Sequence, residues 1–191
     1  MLDFVVILFS SVLVNNYVLV QTLGGSSLMR VSNNSWAVGS IAAATVATST
    51  LTAIIAYCLD QTVLLPFDLM YLRTFTFICV IACTVQAIKL WVKHFAPVHS
   101  SNLHVFLPLL AGNCVVLSVA LYNARSDTSL LQALLSGFGA GASYAIVLIC
   151  FTFMRERLDA ADIPQPFKGG AVAMLTAGLM SIAFMGLSGL V

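Results

Sequence analysis

The sequence predicts an all-α integral membrane protein with six transmembrane helices, arranged as two inverted three-helix repeats whose first and fourth helices are interrupted. Three observations carry that prediction. Of the 191 residues, 60% are hydrophobic and only 8% charged, and the mean hydropathy is +1.02, outside the range of an ordinary soluble domain. The apolar residues form six continuous stretches, near residues 3–23, 36–59, 69–93, 103–123, 130–154 and 170–190. Each is close to the ~20 residues that cross ~30 Å of hydrocarbon, and none alternates as a barrel strand would. Finally, asparagines stand inside two stretches half a chain apart, in Val14-Asn15-Asn16-Tyr17 and in Gly112-Asn113-Cys114.

In the first stretch, Asn15 and Asn16 sit where a spanning helix should be most apolar. An unpaired amide in hydrocarbon costs on the order of 2–7 kcal/mol, and asparagine is a weak helix former, so a break or kink is expected. Met1-Leu2-Asp3 carries no basic leader and no small-residue cleavage pattern follows, so the stretch reads as a retained helix. Tyr17 reads as a packing residue. The second stretch closes at Asp60, ahead of Leu65-Pro66-Phe67. The third begins with Arg73, expected to snorkel or to pair with Asp60 or Asp68. It also carries Cys79 and Cys83 at i, i+4 on one helical face. His94, His99 and His104 read as ordinary residues of the loop that follows.

The fourth stretch places Pro108 to Asn113 at membrane depth, a second run of weak helix formers. Irregular backbone there is tolerated only where protein or a lined cavity satisfies the freed groups. Two such breaks meeting at a pseudo-twofold axis make a polar site at the membrane centre, with Asn15, Asn16 and Asn113 as ion-pathway candidates. The plainer reading is that each asparagine bonds a neighbouring helix, worth ~0.6 kcal/mol and at most about 2. In the fifth stretch, Gly137-Phe138-Gly139-Ala140-Gly141 has the small-xxx-small spacing of close helix packing, and no strand precedes it as a phosphate loop requires. Arg155, Glu156, Arg157, Asp159 and Asp162 then form a charged segment that anchors a helix end or docks a redox partner. Gln165-Pro166-Phe167 leads into the sixth stretch.

Two landmarks support a duplication, with repeat one at about 1–97 and repeat two at about 98–191 of a single membrane domain. Asn16 to Pro66 is 50 residues and Asn113 to Pro166 is 53, with acidic residues before each proline. Three spans per repeat is an odd number, so the two copies point in opposite directions. Arg30, Lys89, Lys93, Arg155, Arg157 and Lys168 collect on one face against Arg73 and Arg125 on the other. That face is cytoplasmic by the positive-inside rule, which puts both termini on the outer side of the membrane.

A longer pattern emerges from Leu13-Val14-Asn15-Asn16-Tyr17-Val18-Leu19-Val20, from Leu107-Pro108-Leu109 leading into Asn113-Cys114, and from Arg155-Glu156-Arg157-Leu158 with Ala161-Asp162-Ile163-Pro164 and Pro166-Phe167-Lys168-Gly169. It continues through Thr176-Ala177-Gly178-Leu179-Met180 and Ala183-Phe184-Met185-Gly186. This pattern resembles the A subunit of the Rnf (Rsx) ion-translocating electron transport complexes, and is similar to the related E subunit of Na+-translocating NADH:quinone oxidoreductase. The resemblance covers essentially the whole chain and is most specific in its C-terminal third.

The resemblance implies that the chain pairs in the membrane with a homologous six-helix subunit of the Rnf E type, beside the other Rnf subunits, and that cysteines of both hold one [2Fe-2S] cluster. One family cysteine is Cys114. The other follows the first span, where this chain reads Leu23-Gly24-Gly25-Ser26-Ser27, so Ser26 occupies a family cysteine position. Iron in such clusters is held by soft thiolates, whereas a serine hydroxyl is hard and difficult to deprotonate. Three outcomes stay open: oxygen ligation by Ser26 or Ser27, recruitment of another residue, or a chain without the cluster. The other cysteines are Cys58, Cys79, Cys83 and Cys150, and five cysteines mostly within spans make no disulfide framework.

No nucleotide fingerprint, catalytic triad or paired-carboxylate motif is present, and no nucleic-acid partner is expected. The chain reads as a non-autonomous component of a redox-driven translocase. What the resemblance implies is electron passage through the mid-membrane cluster, with the whole complex coupling electron flow between ferredoxin and NAD to movement of Na+ or H+. Two alternatives stand beside it: a secondary transporter with an Asn-lined central site, and a scaffold subunit that has lost its cofactor.

Overall fold

The computed structural model describes residues 35–95, 112–125, 129–159 and 169–188, together with Pro164. The first apolar stretch with Asn15, Asn16, Tyr17 and Ser26 lies outside the described residues, as do Pro108, Asp162 and Lys168. Five helices are described: α1 Ser35–Leu59, α2 Arg73–Phe95, α3 Cys114–Arg125, α4 Leu130–Asp159 and α5 Gly170–Ser188. Three spans are long and apolar enough to cross a membrane, at Val38–Leu64, Met70–Trp91 and Leu130–Leu158, and two shorter apolar helices lie at Cys114–Arg125 and Gly170–Gly186. The second, third, fifth and sixth expected helices are thus continuous. Of the fourth, the described part is a 12-residue helix that begins at Cys114, after a turn at Gly112.

Two boundaries differ from the hydropathy reading. α2 continues through Phe95, so His94 is helical rather than part of a loop. α4 continues through Arg155, Glu156, Arg157 and Leu158 to Asp159, because arginine, glutamate and leucine are strong helix formers even where the chain has left hydrocarbon.

Among the described helices, the contact between α1 and α4 is the most extensive. Glycine makes it possible. A Cβ on Gly137 would stand 2.6 Å from Ala53 Cβ and 3.1 Å from the Ser49 carbonyl oxygen, and one on Gly141 would collide with Ser49 Oγ and lie 2.8 Å from Val46 Cα. As α4 advances from Gly137 to Gly141, its neighbours on α1 retreat from Ala53 to Val46, so the two helices run antiparallel. Lipid tails are as apolar as leucine, so close van der Waals packing of small residues, rather than water exclusion, holds such a pair.

Around this contact the core spreads by apolar interdigitation. Val38, Ile41 and Ala42 of α1 cluster with Tyr144, Val147, Leu148 and Phe151 of α4, joined by Ala173 and Met180 of α5. The short α3 wedges between its neighbours: Val115 and Val119 enter that cluster, Val116 packs on Ile81 and Val85 of α2, and Ala120 meets Ala56 and Phe77. At its far end, buried Asn123 donates from Nδ2 to the Ala133 carbonyl (3.4 Å) and accepts from Ser136 Oγ (2.7 Å), which ties α3 to the start of α4. There Ser129 and Gln132 exchange side-chain and backbone bonds in a capping box.

Several hydroxyls in α1 are satisfied locally. Thr45 Oγ1 donates to the Ile41 carbonyl (2.8 Å), Thr48 to Ala44 (2.7 Å) and Thr50 to Val46 (2.7 Å). This back-bonding lets a helix carry polar side chains in hydrocarbon without reaching for a neighbour.

α1 is extended by a π-helical turn, Asp60–Leu64, closed by Leu65 N–H donating to the Asp60 carbonyl at 3.0 Å. A 3₁₀ turn, Met70–Leu72, opens α2. Between the choices the sequence left for Arg73, the structure selects Asp60: Nε and Nη2 donate to Oδ1 and Oδ2, each at 2.7 Å, a two-pronged pair. The pair is well shielded, with side-chain exposures of 15% for Arg73 and 4% for Asp60.

Two outcomes are expected. Gly141→Val should lower the stability of the protein by about 1–3 kcal/mol through overpacking, read as an earlier midpoint of denaturation in detergent, while Gly39→Ala, at a position with nothing within 4 Å, leaves the midpoint in place. Arg73→Ala should cost about 3–5 kcal/mol by stranding the Asp60 carboxylate, and Asp60→Leu introduced in the same chain should recover most of it in the same assay.

Candidate functional site

The sequence points to Asn113-Cys114, and the structure shows how the backbone is held there. Gly112 lies in a turn and Asn113 precedes the first helical residue. Asn113 is buried, at 3% exposure, and its Oδ1 accepts from Val115 N–H at 3.1 Å. Its own carbonyl accepts from Val116 N–H at 3.2 Å. These are the contacts of a helix N-cap, which satisfies donors that a helix beginning inside the membrane would otherwise leave bare. The amide of Asn113 therefore serves the backbone first.

Cys114 occupies the first turn of α3. Its Sγ donates weakly to the Gly112 carbonyl at 3.8 Å, and the residue is exposed on the surface of this chain. Val115 and Val116, the next two residues, are buried on opposite neighbours, so the turn cannot rotate to hide the thiol. A thiol presented this way is open to a ligand or a second polypeptide. The positive end of the α3 dipole faces the same place and favours an anionic group there.

Packing of Val116 on Ile81 and Val85 sets this turn beside the part of α2 that carries Cys83. Cys79 and Cys83 are exposed, as are Cys58 and Cys150. Among the described residues, no three histidine, cysteine or acidic side chains converge on one point. An exposed cysteine sulfur is the soft donor type that would fit an iron–sulfur group. Asn15, Asn16 and Ser26, the other residues to which the sequence points, lie outside the described residues.

Several polar groups carry no motif that would single them out in the sequence. Thr45, Thr48, Ser49 and Thr52 are buried together along α1, and their spacing of three and four residues is the available signal. The hydroxyls of Thr52 and Ser143 are buried without a hydrogen-bond partner among the described residues. Asn123, bonded to Ser136, is hidden by its place at the end of an apolar stretch, where a polar residue looks like a loop.

Comparison with known proteins gives a consistent picture. The family described as "Rnf-Nqr subunit, membrane protein" matches residues 4–191. The chain is 48% identical to the A subunit of the ion-translocating oxidoreductase complex of Shewanella oneidensis, and 48% identical to that of Shewanella putrefaciens strain CN-32. It is 50% identical to the corresponding protein of Shewanella sp. strain ANA-3. Each alignment covers 191 residues and the whole of both chains.

Because Asn113 works as a cap, Asn113→Ala should cost about 1 kcal/mol, while Asn113→Asp, which keeps the acceptor oxygen, holds the melting midpoint of the purified membrane protein near its original value.

Proposed function

The chain belongs to the Rnf-Nqr family of membrane subunits, and from that premise we propose that it serves as the A subunit of an ion-translocating oxidoreductase complex, where it carries electrons across the membrane. The observation that carries this reading is the exposed Cys114, fixed in the first turn of α3 by the buried Asn113 cap, in a chain 48–50% identical to proteins of that name over its full length.

In this reading Cys114 supplies a thiolate to a [2Fe-2S] cluster shared with a homologous six-helix subunit of the Rnf E type. When bound, such a cluster supplies one-electron transfer at the centre of the membrane. Asn113 holds the turn and so fixes where the sulfur points. Val115 and Val116 keep that turn packed on the core. Ser26 takes the remaining family cysteine position, and its harder oxygen donor would alter the redox behaviour of the site.

Coupling to Na+ or H+ is assigned to motion of the two repeats about their contact. The antiparallel course of α1 and α4, the second helices of the two halves, supports the inverted-repeat plan of about 1–97 and 98–191. A change of charge beside Cys114 biases such a motion only through unequal interaction with the two arrangements. Asn15, Asn16 and Asn113 are the candidate polar residues along the ion path. In the cell this places the protein in the inner membrane with Arg155 and Arg157 on the cytoplasmic face.

The departure at Ser26 favours one other reading, a scaffold subunit without the cluster. One experiment decides between them. In the anaerobically purified complex, Cys114→Ala should remove one reducible iron–sulfur signal from the electron paramagnetic resonance spectrum, together with the matching iron and acid-labile sulfide, while the altered chain stays assembled. A spectrum and iron content identical to those of the unaltered complex would assign the scaffold role. Ion flux that persisted at full rate in Cys114→Ala after loss of the signal would sink the coupling scheme.

A further inference from the structure

The connection between α1 and α2 carries a feature that electron transfer does not use. Residues 65–72 expose a run of large apolar side chains: Leu65 is 42% exposed, Phe67 69%, Met70 51%, Tyr71 81% and Leu72 36%, and Phe75 follows at 66%. A water-facing turn would leave some 1.5–3 kcal/mol of burial unrealised at each large aliphatic or aromatic side chain. There is no lysine or arginine between Asp60 and Arg73, and Arg73 is spent on Asp60.

We propose that this connection is a lipid anchor, lying in the boundary between headgroups and acyl chains at the Arg73 end of the membrane, with Phe67 and Tyr71 as its aromatic contacts. Three observations choose lipid over a protein partner. Tyr71 and Trp91 are both strongly exposed and stand twenty residues apart (91 − 71) at the two ends of the α2 span. At ~1.5 Å per residue that separation is about 30 Å, the thickness of the hydrocarbon core, and tyrosine and tryptophan are the residues enriched at its two boundaries.

The second observation is the backbone. Leu65 N–H donates to Asp60 (3.0 Å), Phe67 to Val63 (3.3 Å), Asp68 to Leu65 (3.4 Å), Leu69 to Leu64 (3.1 Å) and Leu72 to Leu69 (3.0 Å), and Pro66 has no N–H. A turn that keeps these donors inside itself does not depend on water for them. Asp68 permits that compactness by taking a left-handed conformation (φ 54°), which aspartate tolerates better than most residues. Third, the Asp60–Arg73 pair pins the two ends of the connection to each other, so the apolar side chains are held at one depth.

The test uses the intact complex in native membranes. Replacing Phe67, and separately Tyr71, by p-benzoylphenylalanine and irradiating should give phospholipid adducts of this chain as the main product at both positions, at least several-fold over any adduct to a polypeptide. Cross-linking chiefly to another polypeptide of the complex at either position, or no lipid adduct, overturns the proposal. Phe67→Trp, which keeps the aromatic bulk, gives an independent reading: the fluorescence it adds over the unaltered complex should fall at least twofold with lipids brominated near the headgroup end of the acyl chain. Added fluorescence that such lipids leave unquenched overturns it equally.

Discussion

The structure depends on how closely α1 and α4 approach. In hydrocarbon there is no gain in hiding one apolar surface from another, so two helices stay together only where their backbones come near enough for dense contact. Gly137 and Gly141 on one side, and Ala53, Ser49 and Val46 on the other, provide that approach. Everything else is referred to this seam. α3 inserts Val115 and Val119 against it, α5 lays Ala173 and Met180 over it, and α2 is reached through Val116 and Phe77.

The same solvent dictates the treatment of polar groups. Backbone and hydroxyl groups inside the membrane have to be bonded within the protein. Thr45, Thr48 and Thr50 of α1 turn back on their own helix, Asn123 and Ser136 bond each other, and Asn113 closes the open end of α3. A helix that starts within an apolar stretch is costly by itself. Its cap is what permits a cysteine to be presented there, so the polar residue and the candidate ligand beside it form one device rather than two.

Much of this was legible in the residues. The long spans follow from uninterrupted apolar length, and the late start of α3 follows from Gly112-Asn113, which disfavour helix where hydropathy alone would continue it. Arg73 was readable as a charge that snorkels or pairs, but its choice of Asp60 needed the π-helical turn that carries that carboxylate. The glycines of α4 signalled close packing without naming the helix they meet, because such spacing records one side of a contact only. α4 outran its apolar stretch because helix propensity outlasts hydrophobicity in Arg155-Glu156-Arg157-Leu158. The role of Asn113 as a cap could not be read from composition.

Among the described helices, the two of the α1–α4 seam are also the longest. The α1 span has 27 residues and the α4 span 29, against 22 for α2. α4 leaves hydrocarbon at Arg155 and α1 meets its ion pair at Asp60, so at ~1.5 Å per residue their apolar parts, 130–154 and 38–59, measure about 37 Å and about 33 Å, somewhat more than the ~30 Å of hydrocarbon they cross. Locked to each other, α1 and α4 must lean as one body or stretch the surrounding leaflets, and the cost of either depends on how thick those leaflets are. The inclination of the seam is thereby set in part by the fatty-acid length of the host membrane, which makes lipid composition a mechanical input to the protein.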